Sequence, residues 1–132
     1  MAVIQACSLK SVYIAKNWSI KVQVHLYTEK CEADKKALLD SRVTENLIHP
    51  RIVEKYDLLT QKLPEARQLL NIDGTVNKLG SITEIVILTI QSNSHNWSHK
   101  FLVADIREDD FILGYPFFEA TNPNIWLVSW NP

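Results

Sequence analysis

Ala37-Leu38-Leu39-Asp40-Ser41-Arg42-Val43-Thr44-Glu45-Asn46-Leu47-Ile48 is the stretch that decides how the rest of the chain is read. Three apolar residues run into an acid and a hydroxyl, the pattern of a short strand stopped by a tight turn. Beyond it, residues 44–56 carry Leu47, Ile48, Ile52, Val53 and Tyr56 at helix-like spacings. Pro50 does not fit a continuous helix, so the spacing predicts a short turn and then a second short helix with Pro50 near its start. About seventy residues later the order returns in Asp110-Phe111-Ile112-Leu113-Gly114-Tyr115, with a short helix over 115–120 stopped near Asn122-Pro123. Two divergent copies of one strand–turn–helix unit are expected.

The remaining patterns favour strands. Residues 19–27 alternate Ile20, Val22, Val24 and Leu26 against Lys21, Gln23 and His25, as a half-buried strand does. The polar residues 28–36 read as a turn. Residues 69–72 lead into a polar hairpin with Asp73-Gly74 as its turn, and 82–90 form a long Ile, Val and Thr strand. A polar turn over 91–96 leads to a strand over 97–104. The tail 124–130 places Trp126, Val128 and Trp130 on one face and Ile125 and Leu127 on the other. Such a strand is poorly suited to a monomer surface, which predicts an interface strand. The fold class is all-β with short helices, in one domain over 1–132, with 1–18 an N-terminal extension or interface segment.

Composition narrows the function classes. At 132 residues and 46% hydrophobic, the chain can bury one core. Fourteen basic and fifteen acidic side chains give a net charge of −1, so no bulk field draws in nucleic acid or anionic lipid. No apolar run approaches the ~20 residues of a membrane span. Residues 1–7 lack the basic start and long apolar run of a signal peptide, which predicts an intracellular, non-secreted protein. The two cysteines, Cys7 and Cys31, form neither a CxxC pair nor a zinc spacing and are expected as free thiols. With Gly74, Gly80 and Gly114 the only glycines, a glycine-rich phosphate loop is excluded. His95 and His99 lie four apart in the polar turn with no third ligand near, so no metal is expected; His25 and His49 read as surface or cap residues. Asn17-Trp18-Ser19 and Asn96-Trp97-Ser98 match a glycosylation sequon that has no role without a signal peptide.

The 37–48 stretch resembles the active-site segment of retropepsin-type aspartic proteases: an apolar strand, Asp-(Thr/Ser)-Gly, a small residue, then Thr or Ser. Asp110-Phe111-Ile112-Leu113-Gly114-Tyr115-Pro116-Phe117-Phe118 is similar to that family's second marker. Asn71-Ile72-Asp73-Gly74-Thr75 and Asn77-Lys78-Leu79-Gly80-Ser81-Ile82 resemble the flap of proteases from gypsy-class LTR retrotransposons, particularly fungal ones. The likeness covers roughly residues 19–126. It implies a retropepsin-like acid protease fold with a closed sheet. With one motif Asp per chain, the resemblance also implies a homodimer, in which Asp40 of each subunit meets on the two-fold axis. Asp40 is then catalytic; Ser41, Arg42, Val43 and Thr44 form the active-site loop; Ile112, Leu113 and Gly114 form the second motif. The flap spans 69–85 and includes Asp73, Gly74, Thr75 and Gly80. By the same resemblance, Ser41 ties the two loops across the axis and Gly114 lets the second turn pack beneath the first.

Two carboxyls about 3 Å apart repel by roughly 5 kcal/mol at an effective dielectric near 20, so such a pair shares one proton. The charged member takes a proton from water and the neutral one hydrogen-bonds the peptide carbonyl, without metal or cofactor. The substrate implied is an extended peptide of a polyprotein, added as a strand under the flap. Arg42 departs from the pattern, where the family has Gly, and Val43 stands where it usually has Ala. A guanidinium about 4 Å from the carboxylates is worth roughly 4 kcal/mol by the same reasoning, enough to offset their repulsion and weaken proteolysis. Val43 is expected to narrow the cleft floor. A non-catalytic dimerisation or peptide-binding module keeping the fold is the alternative, and an unrelated β-barrel ligand binder a third.

Overall fold

The cleanest alternation in the sequence sits in the most regular pairing. In the computed structural model, which describes residues 3–6, 13–14, 20–29, 32–70, 75–92 and 95–120, strands β1 (Val3–Ala6) and β2 (Tyr13–Ile14) precede β3 (Ile20–Tyr27). Val22, Val24 and Leu26 of β3 are buried while Lys21, Gln23 and His25 face outward. β3 pairs antiparallel with β4 (Glu32–Leu39), from Ile20↔Leu39 to Tyr27↔Glu32. The polar segment expected as a turn over 28–36 is thus strand from Glu32 onward. Its charges conceal the strand because they are satisfied across the pair: His25 lies opposite Asp34, and its ring bonds both Asp34 and Glu32.

Residues 44–56 also differ from expectation at their start. Asn46–Ile48 is a strand, β5, parallel to β8 (His95–Val103) and antiparallel to β9 (Phe111–Leu113). Helix α1 (Pro50–Lys55) begins only after it, with Pro50 in the first turn and His49 as N-cap, its ring accepting the Arg51 N–H. The hairpin of β6 (Gln61–Leu70) and β7 (Val76–Ser92) is longer than its polar residues suggest, and helix α2 (Tyr115–Ala120) follows β9 as read. His95 and His99 lie in β8 rather than in a turn. Of the polar turn expected over 91–96, residues 91–92 and 95–96 are the ends of β7 and β8, and the two residues between them lie outside the described residues.

The strand order is β1-β3-β4-β9-β5-β8-β7-β6, with β2 beside β3 and β1 also parallel to β7. The expected closed sheet is corrected by β6, which pairs only with β7 among the described residues and leaves the sheet an open edge. Pro64 lies where the β6–β7 register shifts, between Lys62 and Arg67, as suits a residue without an N–H on an edge strand. Val3–Ala6, in the segment expected as an extension or interface, pairs with its own chain. The strand expected over 124–130 and both cysteines lie outside the described residues.

Two apolar clusters lie on opposite faces of the central strands. Ile48, Phe101, Phe111 and Leu113 join Val22, Val24, Leu26 and Leu39 in the first. Leu47, Leu102 and Ile112 join Val43, Leu69 and Ile82 in the second. Strands buried on both faces read as continuous apolar runs, which is why Asn46-Leu47-Ile48 mimics a helix in sequence.

The His25 clamp gives a pH prediction. Hydrogen bonds to the Glu32 and then the Asp34 carboxylate raise the His25 pKa above its usual 6.5. Its stabilisation is therefore complete below about pH 6.5 and lost as pH rises through the folded-state value. Glu32→Gln with Asp34→Asn will move the imidazole midpoint, followed by NMR, back toward the unperturbed value. An unchanged midpoint would contradict the clamp.

Candidate active site

Strand β4 delivers Asp40 to the end of a parallel pair. Ala37, Leu38 and Leu39 lie beside Phe111, Ile112 and Leu113. The Asp40 N–H donates to the Leu113 carbonyl at 3.0 Å, and the Val43 N–H closes the turn on the Asp40 carbonyl at 3.2 Å. From the other side, the Tyr115 N–H donates to the Val43 carbonyl at 2.8 Å. Between them the Gly114 N–H donates to Oδ1 of Asn46 at 2.8 Å, and the Asn46 side chain is fully buried. The two apolar-strand motifs are therefore interlocked by backbone bonds in both directions. A Cβ at Gly114 would sit 2.7 Å from the Val43 carbonyl oxygen and closer still to that of Glu45. Close approach, not an unusual backbone angle, requires the glycine.

The Asp40 carboxylate turns back on its own loop. Oδ1 accepts the Arg42 N–H at 3.0 Å, an Asx-type turn, and the Arg42 Nε at 3.1 Å; Oδ2 accepts Nη2 at 3.3 Å. The Asp40 side chain is 19% exposed and that of Arg42 85%. Ser41 is exposed on the turn and Thr44 half-buried. Val43, the residue expected to narrow a cleft floor, is buried in the second apolar cluster, where its β-branched bulk fills the core.

The β6–β7 ribbon leaves the sheet body at Gln61↔Ile85. Of the residues expected in a flap, Asp73 and Gly74 lie outside the described residues, Thr75 is exposed and Gly80 falls within β7. Three other ribbon residues meet the Asp40 turn. Leu69 and Ile82 share the second cluster with Val43, and Arg67 Nη2 donates to Oε1 of Glu45 at 3.2 Å. Nothing in sequence pairs Glu45 with Arg67. Asn46 had a signal, a lone amide heading an apolar run, but the helical reading obscured it.

Behind the second motif, Arg51 donates to Asp110 Oδ1 from Nε and Nη2, and to the Arg107 and Glu108 carbonyls. His49 bridges from α1 to Asp105, whose pKa is held down by the Arg107 N–H and then by His49. Among the described residues, no three His, Cys, Asp or Glu side chains are grouped to hold a metal. No described helix is long and apolar enough to cross a membrane.

An acidic turn closing one strand, locked to a parallel strand that ends in glycine, is the arrangement of a retropepsin-like aspartic protease domain. Residues 36–131 match the family model described as the PEG10/RTL1 protease domain, and the chain belongs to that family. No curated protein and no solved structure matches the chain.

The interlock makes a stability prediction. Gly114→Ala will cost about 1–3 kcal/mol through overpacking against fixed carbonyls. Asn46→Ala will cost about 1–3 kcal/mol by orphaning the buried Gly114 N–H. Urea unfolding checks both, and wild-type midpoints would contradict the interlock.

Proposed function

We propose that this domain is an aspartic endopeptidase of a retroelement polyprotein, of gypsy class with a fungal-like flap, in which Asp40 acts with its symmetry mate in a homodimer and Arg42 holds activity down. The supporting observation is the Asp40 N–H bond to Leu113, which fixes the acidic turn against the Ile112-Leu113-Gly114 motif. Asp40 supplies one carboxylate per subunit; the pair shares a proton, activates water and polarises the scissile carbonyl. Substrates are extended, apolar polyprotein segments, covered by the β6–β7 ribbon, met inside the cell or within element particles. Neither nucleic acid nor membrane takes part.

Exposure decides how strongly Arg42 acts. With the guanidinium 85% exposed, the pair is worth about 1 kcal/mol or less rather than the several of a buried pair. One such contact per subunit lowers the rate by about five- to thirtyfold without abolishing it. A second reading, a non-catalytic dimerisation or peptide-binding module, is favoured by the same contact, because Arg42 occupies both Asp40 oxygens.

A peptidase assay on an extended apolar peptide tests this. The wild type is expected to cleave weakly and with second-order dependence on protein at low concentration. Arg42→Gly should raise kcat/KM about five- to thirtyfold, and Asp40→Asn should abolish turnover. Equal, robust cleavage by wild type and Arg42→Gly would remove the restraint. A folded dimer that binds a statine-type mimic but never turns over, in both forms, would establish the second reading.

A further inference from the structure

The ribbon of β6 and β7 is held to the body of the protein by little. Outward from Gln61↔Ile85 it has two strands only, because β8 pairs with β7 from Ile85 to Ser92 and β6 has no second neighbour among the described residues. Most of its β6 side chains are exposed, including Gln61, Lys62, Pro64, Glu65, Ala66, Arg67 and Gln68. A two-stranded ribbon alone is marginally stable in water. Its register also shifts between Lys62 and Arg67 and again between Gln68 and Leu70, so the outer edge is irregular on both sides of Arg67 and Gln68. Its position therefore depends on what it touches beneath.

Two kinds of contact are present. Leu69 and Ile82, 2% and 1% exposed, belong to the apolar cluster containing Val43. Arg67 reaches Glu45 at 3.2 Å, with side-chain exposures of 43% and 19%. Glu45 faces two ways: its carboxylate meets the ribbon, while its carbonyl lies against Gly114. Burial of Leu69 is non-directional and tolerates sliding, whereas a charged hydrogen bond has one geometry.

We infer that Arg67 and Glu45 form an ionic clasp that sets the closed position of the β6–β7 ribbon over the Asp40 turn, making them positioning residues for whatever the site binds. The clasp rests on the proposed function only for what lies beneath the ribbon. A half-exposed pair of this kind favours closure by about two- to fivefold, weak enough to open for a peptide and strong enough to bias the ribbon shut. Salt weakens it, because the arginine is partly in solvent.

Amide hydrogen exchange on the full chain, without ligand, tests the clasp. Arg67→Gln and Glu45→Gln keep side-chain length and should each speed exchange of the 76–84 amides about two- to fivefold, leaving 20–27 and 86–90 unchanged. The reversed pair, Arg67→Glu with Glu45→Arg, should restore protection, and 1 M salt should erase the difference between wild type and single variants. Unchanged exchange in both singles overturns the clasp, as does equal acceleration throughout the sheet, which marks general loosening. Adding a statine-type peptide separates the two readings. Extra protection of 76–84 supports the ribbon as flap; its absence beside an intact clasp effect overturns the flap and leaves the clasp standing.

Discussion

The structure depends on a mutual backbone grip between two turns. Asp40 donates to Leu113, Tyr115 donates to Val43, and Gly114 donates to the buried Asn46 amide lying between them. The Gly114 bond to Asn46 is buried, so losing that partner carries a full desolvation cost. The grip joins residues about seventy apart and fixes where the only acid at the end of β4 points. Around it the two apolar clusters pack from opposite sides of β5, β8 and β9.

The sequence is legible where one periodicity dominates. β3 shows its alternation, β9 and α2 fall where their apolar run and turn signals put them, and Pro50 marks the first turn of α1. It is opaque where local composition and tertiary environment disagree. The first half of β4 is nearly all charged, and only the partner strand shows that the His25 ring bonds both Glu32 and Asp34 there. Asn46-Leu47-Ile48 is buried on both faces, which removes the alternation that distinguishes strand from helix.

The candidate site divides in the same way. Asp40 and the Ile112-Leu113-Gly114 segment are visible as an ordered pair of motifs, and the structure sets them side by side. Which side chain supports which is not visible. Val43 sits in the core because its turn faces the ribbon, and Glu45 meets Arg67 across a hairpin whose irregular register no short-range rule predicts. Arg42 stands between these cases: its place two residues after Asp40 is plain in the sequence, but the strength of their contact depends on an exposure that only the fold supplies.

That exposure also explains how the fold accommodates a large cation at this turn. The grip that shapes the turn uses the backbone of Asp40, Val43, Gly114 and Tyr115 and the amide of Asn46, and none of its bonds passes through the side chain at position 42. A long cation can therefore project into solvent and fold back onto Asp40 without disturbing the scaffold beneath. Gly114 has no such freedom, since carbonyls of Val43 and Glu45 already fill the space a side chain would need. Of these two turn positions, 42 faces water and 114 faces backbone. Chemistry at the first can drift while the second must stay, and a retropepsin-like domain can thus alter the surroundings of its acid while keeping the architecture that presents it.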